Sequence, residues 1–180
     1  FIAIVLVQFF YYVVFFGKFS FAKTAIAPQK RIPISVIVCA KNEEENVANF
    51  IPLLAEQNYP DFEIVLIDDA SGDNTLEIFE QFEKQYSNVR LVKVENNEAF
   101  WGNKKYALTL GIKAASNEKM AFIEPNYEPA SENWLAILNN SITPEKQIVL
   151  GYTAIKKKKN NLKNKIIRFE KIKGFSKIVP

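Results

Sequence analysis

The feature that most constrains this chain is an alternation of short apolar runs and helix-like segments from residue 34 onward. Apolar runs rich in β-branched residues are typical of buried parallel strands. They predict strands over 34–39, 63–67, 89–94, 119–123 and 147–155. Helical spacing marks 44–57, a segment from Asp73 or Asn74 to Tyr86, 103–115, 134–140 and 163–173. This order predicts an α/β fold with a mostly parallel sheet flanked by helices.

The N-terminal segment is a separate apolar element. Within residues 1–16 Gln8 is the only polar side chain, and there is no charge. Because spanning a bilayer takes about 20 apolar residues and at least roughly 17, we predict one transmembrane helix over 1–17. A signal peptide or a buried core helix is the alternative. The former would show a basic start and a cleavage site, and the latter would need protein on all sides.

A basic linker over 18–33 follows the apolar segment. It carries Lys18, Lys23, Lys30 and Arg31, and the first acidic residue after it is Glu43. By the positive-inside rule, this flank predicts a cell (inner) membrane protein whose soluble part is cytoplasmic.

The composition excludes several kinds of function. With no histidine among 180 residues, triads that need imidazole and histidine-ligated zinc are excluded. The single cysteine, Cys39, lies within an apolar strand, where a small buried hydrophobe is more typical than a nucleophile. The net charge of +3 gives no basic face for nucleic acid, so we expect no nucleic-acid partner.

Polar residues follow each of the first four predicted strands. They are Ala40 to Glu43, then Asp68 and Asp69, then Lys104 and Lys105 after a longer loop, then Glu124 to Asn126. Ligands of parallel sheets bind beyond the carboxyl ends of the strands. The four strand ends therefore predict one shared crevice.

The residue types at these ends suggest their chemistry. Asp68 and Asp69 close a buried strand, where carboxylates are costly without partners, so we expect them to accept hydrogen bonds from a base or a ribose. Residues 71–74 are more typical of a turn and a helix cap. Lys104 and Lys105 open a helix and suit phosphate, although a solvated basic turn has the same pattern.

Four blocks, in this order and spacing, resemble the inverting glycosyltransferases of family 2, which have the GT-A fold. Residues 33–44 resemble the family's first strand and "RNE/YNE" turn, 57–64 its "QxYPxxEI" link, 67–75 its "DDxSxDxT" motif and 102–108 its "GKxxAL" block. The resemblance covers about 33–155. It implies that 34–155 is a Rossmann-like nucleotide-sugar-binding domain.

The resemblance also implies a function. The implied protein is a membrane-bound glycosyltransferase that would transfer a sugar, with inversion, from a nucleotide-diphospho-sugar donor to a cell-envelope glycan or lipid acceptor. The implied donor-binding residues are Ala40, Asn42, Glu43, Asp68, Asp69, Lys104 and Lys105. One alternative is a degenerate relative that binds nucleotide or acts as a membrane scaffold. Another is an unrelated receiver-type domain with an acidic pocket.

The chain departs from the family pattern in two places. The family usually has Asp-x-Asp after the fourth strand, which holds a divalent metal, and here Glu124 and Asn126 stand at those positions. One charge instead of two predicts weaker Mg²⁺ or Mn²⁺ binding, and a proline-bounded turn is the alternative reading. No later segment matches the family's general base. Glu170 lies in a basic helical pattern, so we expect the base outside this chain.

The last segment, 156–180, is basic and carries interspersed apolar residues. It predicts either an amphipathic contact with anionic lipid or a solvated loop and helix. We interpret it as the start of an incomplete acceptor-side region, and the chain as a fragment.

Overall fold

The computed structural model describes residues 2–21, 30–95, 104–143 and 147–151, with the side chains of the first helix described over 2–14. Its elements are α1 (Ile2–Phe21), β1 (Ile34–Ala40), α2 (Glu44–Ala55), β2 (Phe62–Asp68), α3 (Thr75–Gln85), β3 (Val89–Lys93), α4 (Lys104–Ala114), β4 (Lys119–Phe122) and α5 (Trp134–Ser141). The first four predicted strands are confirmed to within one residue at each end.

The four strands form one parallel sheet in the order β3-β2-β1-β4. The end of β1 lies level with the end of β2, because Ala40 pairs with Asp68. From β1 the chain moves outward to β2 and β3, and then returns to place β4 on the other side of β1. The predicted α/β class is confirmed, and the strand order reverses direction between β1 and β4.

Helices cover both faces of the sheet because neighbouring residues of a strand point to opposite sides. Val36 and Val38 of β1 pack in one core with residues of α2, α3 and α5. Ile37, between them, packs in a second core with Ala107 of α4. Central strands buried on both faces read as continuous apolar runs, and for that reason the sequence predicted them well.

The segment between α2 and β2 forms hydrogen bonds that connect distant parts of the chain. Gln57 is buried, and its amide donates to the carbonyls of Leu53 (3.1 Å) and Ser131 (3.0 Å) while accepting from the Leu135 N–H (3.2 Å). The Tyr59 hydroxyl donates to the Ile32 carbonyl at 2.6 Å. The block that resembles "QxYPxxEI" thus holds the start of α5 and the approach to β1.

Helix α2 runs from Glu44 through Pro52 without interruption. One expectation on local structure was wrong. The fifth predicted strand, 147–155, is absent from its described part, 147–151, which pairs with no strand of the described sheet. Its apolar side chains Ile148 and Leu150 are 83% and 53% exposed, so they supply no burial to hold a strand. The predicted linker over 18–33 overlaps the end of α1, which continues to Phe21.

The N-terminal apolar segment forms α1, with every described side chain exposed. In the part of the chain that the structure describes, no helix combines the length and hydrophobicity that crossing a membrane requires. A helix is therefore confirmed there, and the predicted transmembrane span over 1–17 is not. The predicted helix over 163–173 and the basic segment 156–180 lie outside the described residues.

Candidate functional site

The turns after β1 and β2 are joined by reciprocal hydrogen bonds. The Asn42 N–H donates to Ser71 Oγ at 3.1 Å, and the Gly72 N–H donates to Asn42 Oδ1 at 2.7 Å. The acceptor of each of these backbone N–H groups thus lies in the other turn, about 30 residues away in sequence. These contacts set the position of one strand end relative to the other.

A second set of bonds joins the starts of α2 and α3. The Glu43 N–H donates to Thr75 Oγ1 (2.9 Å), and the Asp73 carboxylate accepts from the N–H groups of Glu44 (3.2 Å) and Thr75 (3.0 Å). Burial acts to raise the pKa of Asp73, but these hydrogen bonds outweigh it and hold the pKa below its ordinary 3.8. The Asp73 side chain, rather than that of Asn74, accepts hydrogen bonds from the first N–H groups of both helices. This confirms the predicted turn and cap. We call the contacts of 42–44 with 71–75 the turn clasp.

The turn clasp holds two residues in left-handed backbone conformation, Asn42 at φ 54° and Ala70 at φ 53°. Asparagine tolerates this region, whereas alanine is strained there by about 1–2 kcal/mol. Hydrogen bonds on either side oppose this strain, from the Asp69 N–H to the Ala40 carbonyl (2.9 Å) and from the Ser71 N–H to the side-chain Oδ2 of Asp68 (3.2 Å). Strain of this kind is concentrated at functional sites, where it fixes the direction of a side chain.

A cavity of about 280 Å³ opens at the carboxyl ends of β1 and β4. Its lining comes from four separate segments of the chain. The lining residues are Cys39, Ala40, Lys41, Glu43, Asp69, Lys104, Glu124, Pro125 and Asn126. The cavity therefore lies where the strand order reverses, which is the place where open parallel sheets bind ligands.

The two aspartates that end β2 have different surroundings. Asp69 lines the cavity, and its Oδ2 lies 3.9 Å from the Lys41 ammonium. Asp68 is 3% exposed; its Oδ2 accepts from the Ser71 N–H, and its Oδ1 has no hydrogen-bond partner among the described residues. A buried carboxylate oxygen without a donor is costly, so Asp68 is suited to receive one from a ligand.

The side of the cavity nearest β4 carries an ion pair. The Lys104 ammonium, on the first residue of α4, donates to Glu124 Oε1. This hydrogen bond is the main reason that the pKa of Lys104 is raised, so the ammonium is charged at neutral pH. Asn126, two residues further on, adds a neutral amide to the lining.

The cysteine at the cavity wall is a poor nucleophile. Burial, followed by the negative charge of Asp69, raises the pKa of Cys39 to about 11. At neutral pH the thiol is therefore protonated, and a thiol reacts far more slowly than a thiolate. Cys39 is partly buried and packs against the core that contains Ile37 and Ala107, which is consistent with a small hydrophobe.

The structure brings six predicted site residues to the cavity and leaves three outside its lining. The six are Ala40, Glu43, Asp69, Lys104, Glu124 and Asn126, and the three are Asn42, Asp68 and Lys105. Asn42 belongs to the turn clasp, and Asp68 is buried at the end of β2. Lys41 was missed by sequence reasoning, although a charged residue directly after a buried strand is a signal that was present.

The family model of Glycosyl transferase family 2 matches residues 35–179. A poly(ribitol-phosphate) beta-glucosyltransferase of Bacillus spizizenii is 30% identical over 120 residues, which cover 66% of this chain and 18% of that protein. A poly-beta-1,6-N-acetyl-D-glucosamine synthase of Staphylococcus epidermidis is 38% identical over 85 residues, covering 47% of this chain and 19% of that protein. The chain spans well under half the length of these relatives.

Solved structures show the same likeness. Residues 1–349 of Staphylococcus aureus TarS, in complex with UDP-GlcNAc, match at 28% identity and a TM-score of 0.51 over 59% of this chain and 30% of that one. The mannosyltransferase PcManGT of Pyrobaculum calidifontis, in complex with GDP-Man and Mn²⁺, matches in fold at a TM-score of 0.64 and 22% identity, over 79% of this chain and 43% of that one. The resemblance drawn from the sequence is thus confirmed, and the chain belongs to glycosyl transferase family 2.

Proposed function

We propose that this chain is the donor-binding part of a glycosyltransferase that transfers a sugar from a nucleotide-diphospho-sugar to a cell-envelope glycan or lipid acceptor. The observation that carries the proposal is the cavity at the reversal of strand order, lined by Glu43, Asp69 and Lys104. Relatives whose names specify glucosyl and N-acetylglucosaminyl transfer support it. The complex of TarS with UDP-GlcNAc supports the class of donor.

Each end of the cavity suits a different part of such a donor. Carboxylates accept hydrogen bonds, so we assign Glu43, Asp68 and Asp69 to the N–H groups of the base and the hydroxyls of the ribose. Ammonium groups and a helix N-terminus suit phosphate, so we assign Lys104 to the diphosphate. Asn42 holds the turn that carries Glu43 and contributes by position rather than by contact. Lys105 is assigned to the outer face of the phosphate region.

The proposed reaction is an inverting displacement. An acceptor hydroxyl attacks the anomeric carbon on the face opposite the diphosphate, and its proton passes to a general base. The bond from the anomeric carbon to the phosphate oxygen breaks, and the electron pair leaves with the nucleoside diphosphate. We assign the acids of the cavity to donor binding and none of them to the base.

Titration calorimetry of the full chain with UDP, GDP and UDP-GlcNAc tests the proposal. We expect one nucleotide to bind, and we expect Asp69→Asn to weaken that binding about tenfold, a loss of about 1.4 kcal/mol. Glu118→Gln is a matched control. Glu118 is an exposed acid directly before the start of β4, at the end of the strand that lies away from the cavity. Absence of binding by every nucleotide would overturn the proposal.

We further propose that the chain associates with the cytoplasmic face of the cell membrane through α1. The large apolar side chains of α1 that the structure describes are 41–75% exposed, which suits burial in lipid. Replacing Phe9 and Phe10 with serine should lower the fraction that floats with anionic vesicles. Replacing Ile148 and Leu150, which are exposed apolar residues elsewhere in the chain, should leave flotation unchanged.

A non-catalytic relative is the second candidate function. The observation that favours it is the neutral Asn126 together with the engagement of Glu124 by Lys104, where family members usually place two aspartates. A donor that binds but is neither hydrolysed nor transferred by the full-length protein, with envelope acceptors present, would support this candidate over the enzyme.

A further inference from the structure

The end of β4 does not fit a divalent metal site. Mg²⁺ and Mn²⁺ prefer several oxygen ligands, with carboxylates supplying the charge. Glu124 supplies one carboxylate, and the Lys104 ammonium already occupies one of its oxygens. Asn126 supplies no charge, and the described residues include no group of three or more acidic, cysteine or histidine side chains that would hold a metal ion.

A positive charge is nevertheless present at this place. Lys104 and Glu124 form their ion pair within the cavity lining, with side chains 56% and 44% exposed. An ammonium carries three N–H donors, and Glu124 Oε1 takes one of them. Lys104 also begins α4, an 11-residue helix whose N-terminal N–H groups add a partial positive charge.

The charges at this end of the cavity balance without a metal. Glu124 carries one negative charge and Lys104 one positive charge, so the pair has no net charge. Two aspartates without a metal would repel a diphosphate, whereas the pair of Lys104 and Glu124 does not. Because Asn126 is neutral, no second acid is left that would need a metal to balance it.

We propose that the Lys104 ammonium takes the place of a divalent cation and binds the donor diphosphate, so that this chain binds its donor without metal. The inference rests on the proposed function, which already assigns Lys104 to the diphosphate, and goes beyond it in stating that donor binding needs no metal. Glu124 acts as a positioning residue, since its carboxylate directs the ammonium into the cavity. In transfer, the same ammonium would stabilise charge on the departing phosphate oxygen.

The test compares nucleotide binding by the full chain in EDTA and in MnCl₂. Whichever of UDP and GDP binds should do so with the same Kd, within about twofold, in both solutions. Lys104→Met should weaken binding of that nucleotide in EDTA at least about tenfold, or 1.4 kcal/mol, and should not change binding of the parent nucleoside, which lacks phosphates. Lys104→Arg should retain most of the affinity. Lys113→Met, an exposed lysine at the other end of α4, is the matched control.

A gain of metal dependence gives an independent check. In the double variant Lys104→Met, Asn126→Asp, the second acid is restored and the ammonium is removed, so nucleotide binding should recover on addition of Mn²⁺ and be lost in EDTA. Wild-type chain that binds nucleotide only with Mn²⁺, or Lys104→Met that binds as wild type in EDTA, would overturn the inference and leave the proposed function intact. A wild-type chain that binds no nucleotide in either solution would overturn both.

Discussion

The two sides of the cavity are held in place by different means. On the side of β1 and β2, the turn clasp uses backbone N–H donors and side-chain acceptors, with Asp73 and the fully buried Thr75 at its centre. On the side of β4 and α4, two exposed side chains, Lys104 and Glu124, form an ion pair. Partly buried hydrogen bonds to backbone N–H groups fix geometry, whereas exposed ion pairs add little stability. We infer that the first side provides rigid recognition and the second an adjustable charge.

The largest effect should come from the packing that places α4. A Cβ on Gly111 would collide with the side chain of Ile67, which is fully buried in β2. Gly111→Ala should therefore lower the free energy of unfolding by about 2–3 kcal/mol, as overpacked cores do. Urea denaturation measures this, and Gly151→Ala is the control because that glycine has no neighbour for its Cβ. An unchanged midpoint would show that α4 is held less tightly than the structure indicates.

The next effect tests the turn clasp. Thr75→Val keeps the shape of a buried side chain but removes the acceptor of the Glu43 N–H. An unsatisfied buried donor should lower the free energy of unfolding by about 1–2 kcal/mol. Thr75→Ser, which keeps the hydroxyl, should lose less. A loss in Thr75→Ser without any loss in Thr75→Val would mean that the methyl group, and not the hydrogen bond, carries the contribution of Thr75.

The pH dependence of the free energy of unfolding should reveal the contribution of Asp73 to the turn-clasp side of the cavity. Because the folded pKa of Asp73 lies below its ordinary 3.8, the carboxylate stabilises the fold above that pH, and this stability is lost as pH falls through the folded pKa. Asp73→Asn should therefore lower the unfolding midpoint at pH 7 and converge with wild type in acid. Parallel curves for the two proteins from pH 7 down to about pH 2 would contradict this role.

The smallest effect on stability is expected at the ion pair. Lys104 and Glu124 are about half exposed, so Lys104→Met should change the free energy of unfolding by less than about 1 kcal/mol. The same variant should lose nucleotide affinity, as proposed above. Thermal unfolding followed by circular dichroism measures the first quantity. A large loss of stability would mean that Lys104 holds the fold rather than the ligand.

The sequence predicted the sheet because burial on both faces leaves a local pattern. Residues 34–39 and 63–67 are almost wholly apolar, and short continuous runs rich in β-branched residues are typical of buried strands. The strand expected over 147–155 failed for the converse reason, since Ile148 and Leu150 form an apolar pattern that nothing in the described structure buries.

The site was predictable in its residue types and less so in its contacts. Glu43, Asp69 and Lys104 were predicted from their positions after strands. The topology of a parallel sheet brings such residues together whatever the conformation of the loops. The bonds of the turn clasp join residues 29–32 positions apart, and no local periodicity shows them. The pairing of Lys104 with Glu124 likewise depends on how α4 lies against β4, which sequence patterns do not specify.

The central claim is that a nucleotide-diphospho-sugar occupies the cavity at the ends of β1 and β4. Backbone amide NMR of the ¹⁵N-labelled full chain, titrated with UDP, GDP and UDP-GlcNAc in mild detergent, tests this most directly. We expect the largest changes in amide chemical shift at residues 39–43, 68–72 and 124–126. Shifts confined to the opposite end of the sheet, near 116–119, or no shifts with any nucleotide, would contradict it.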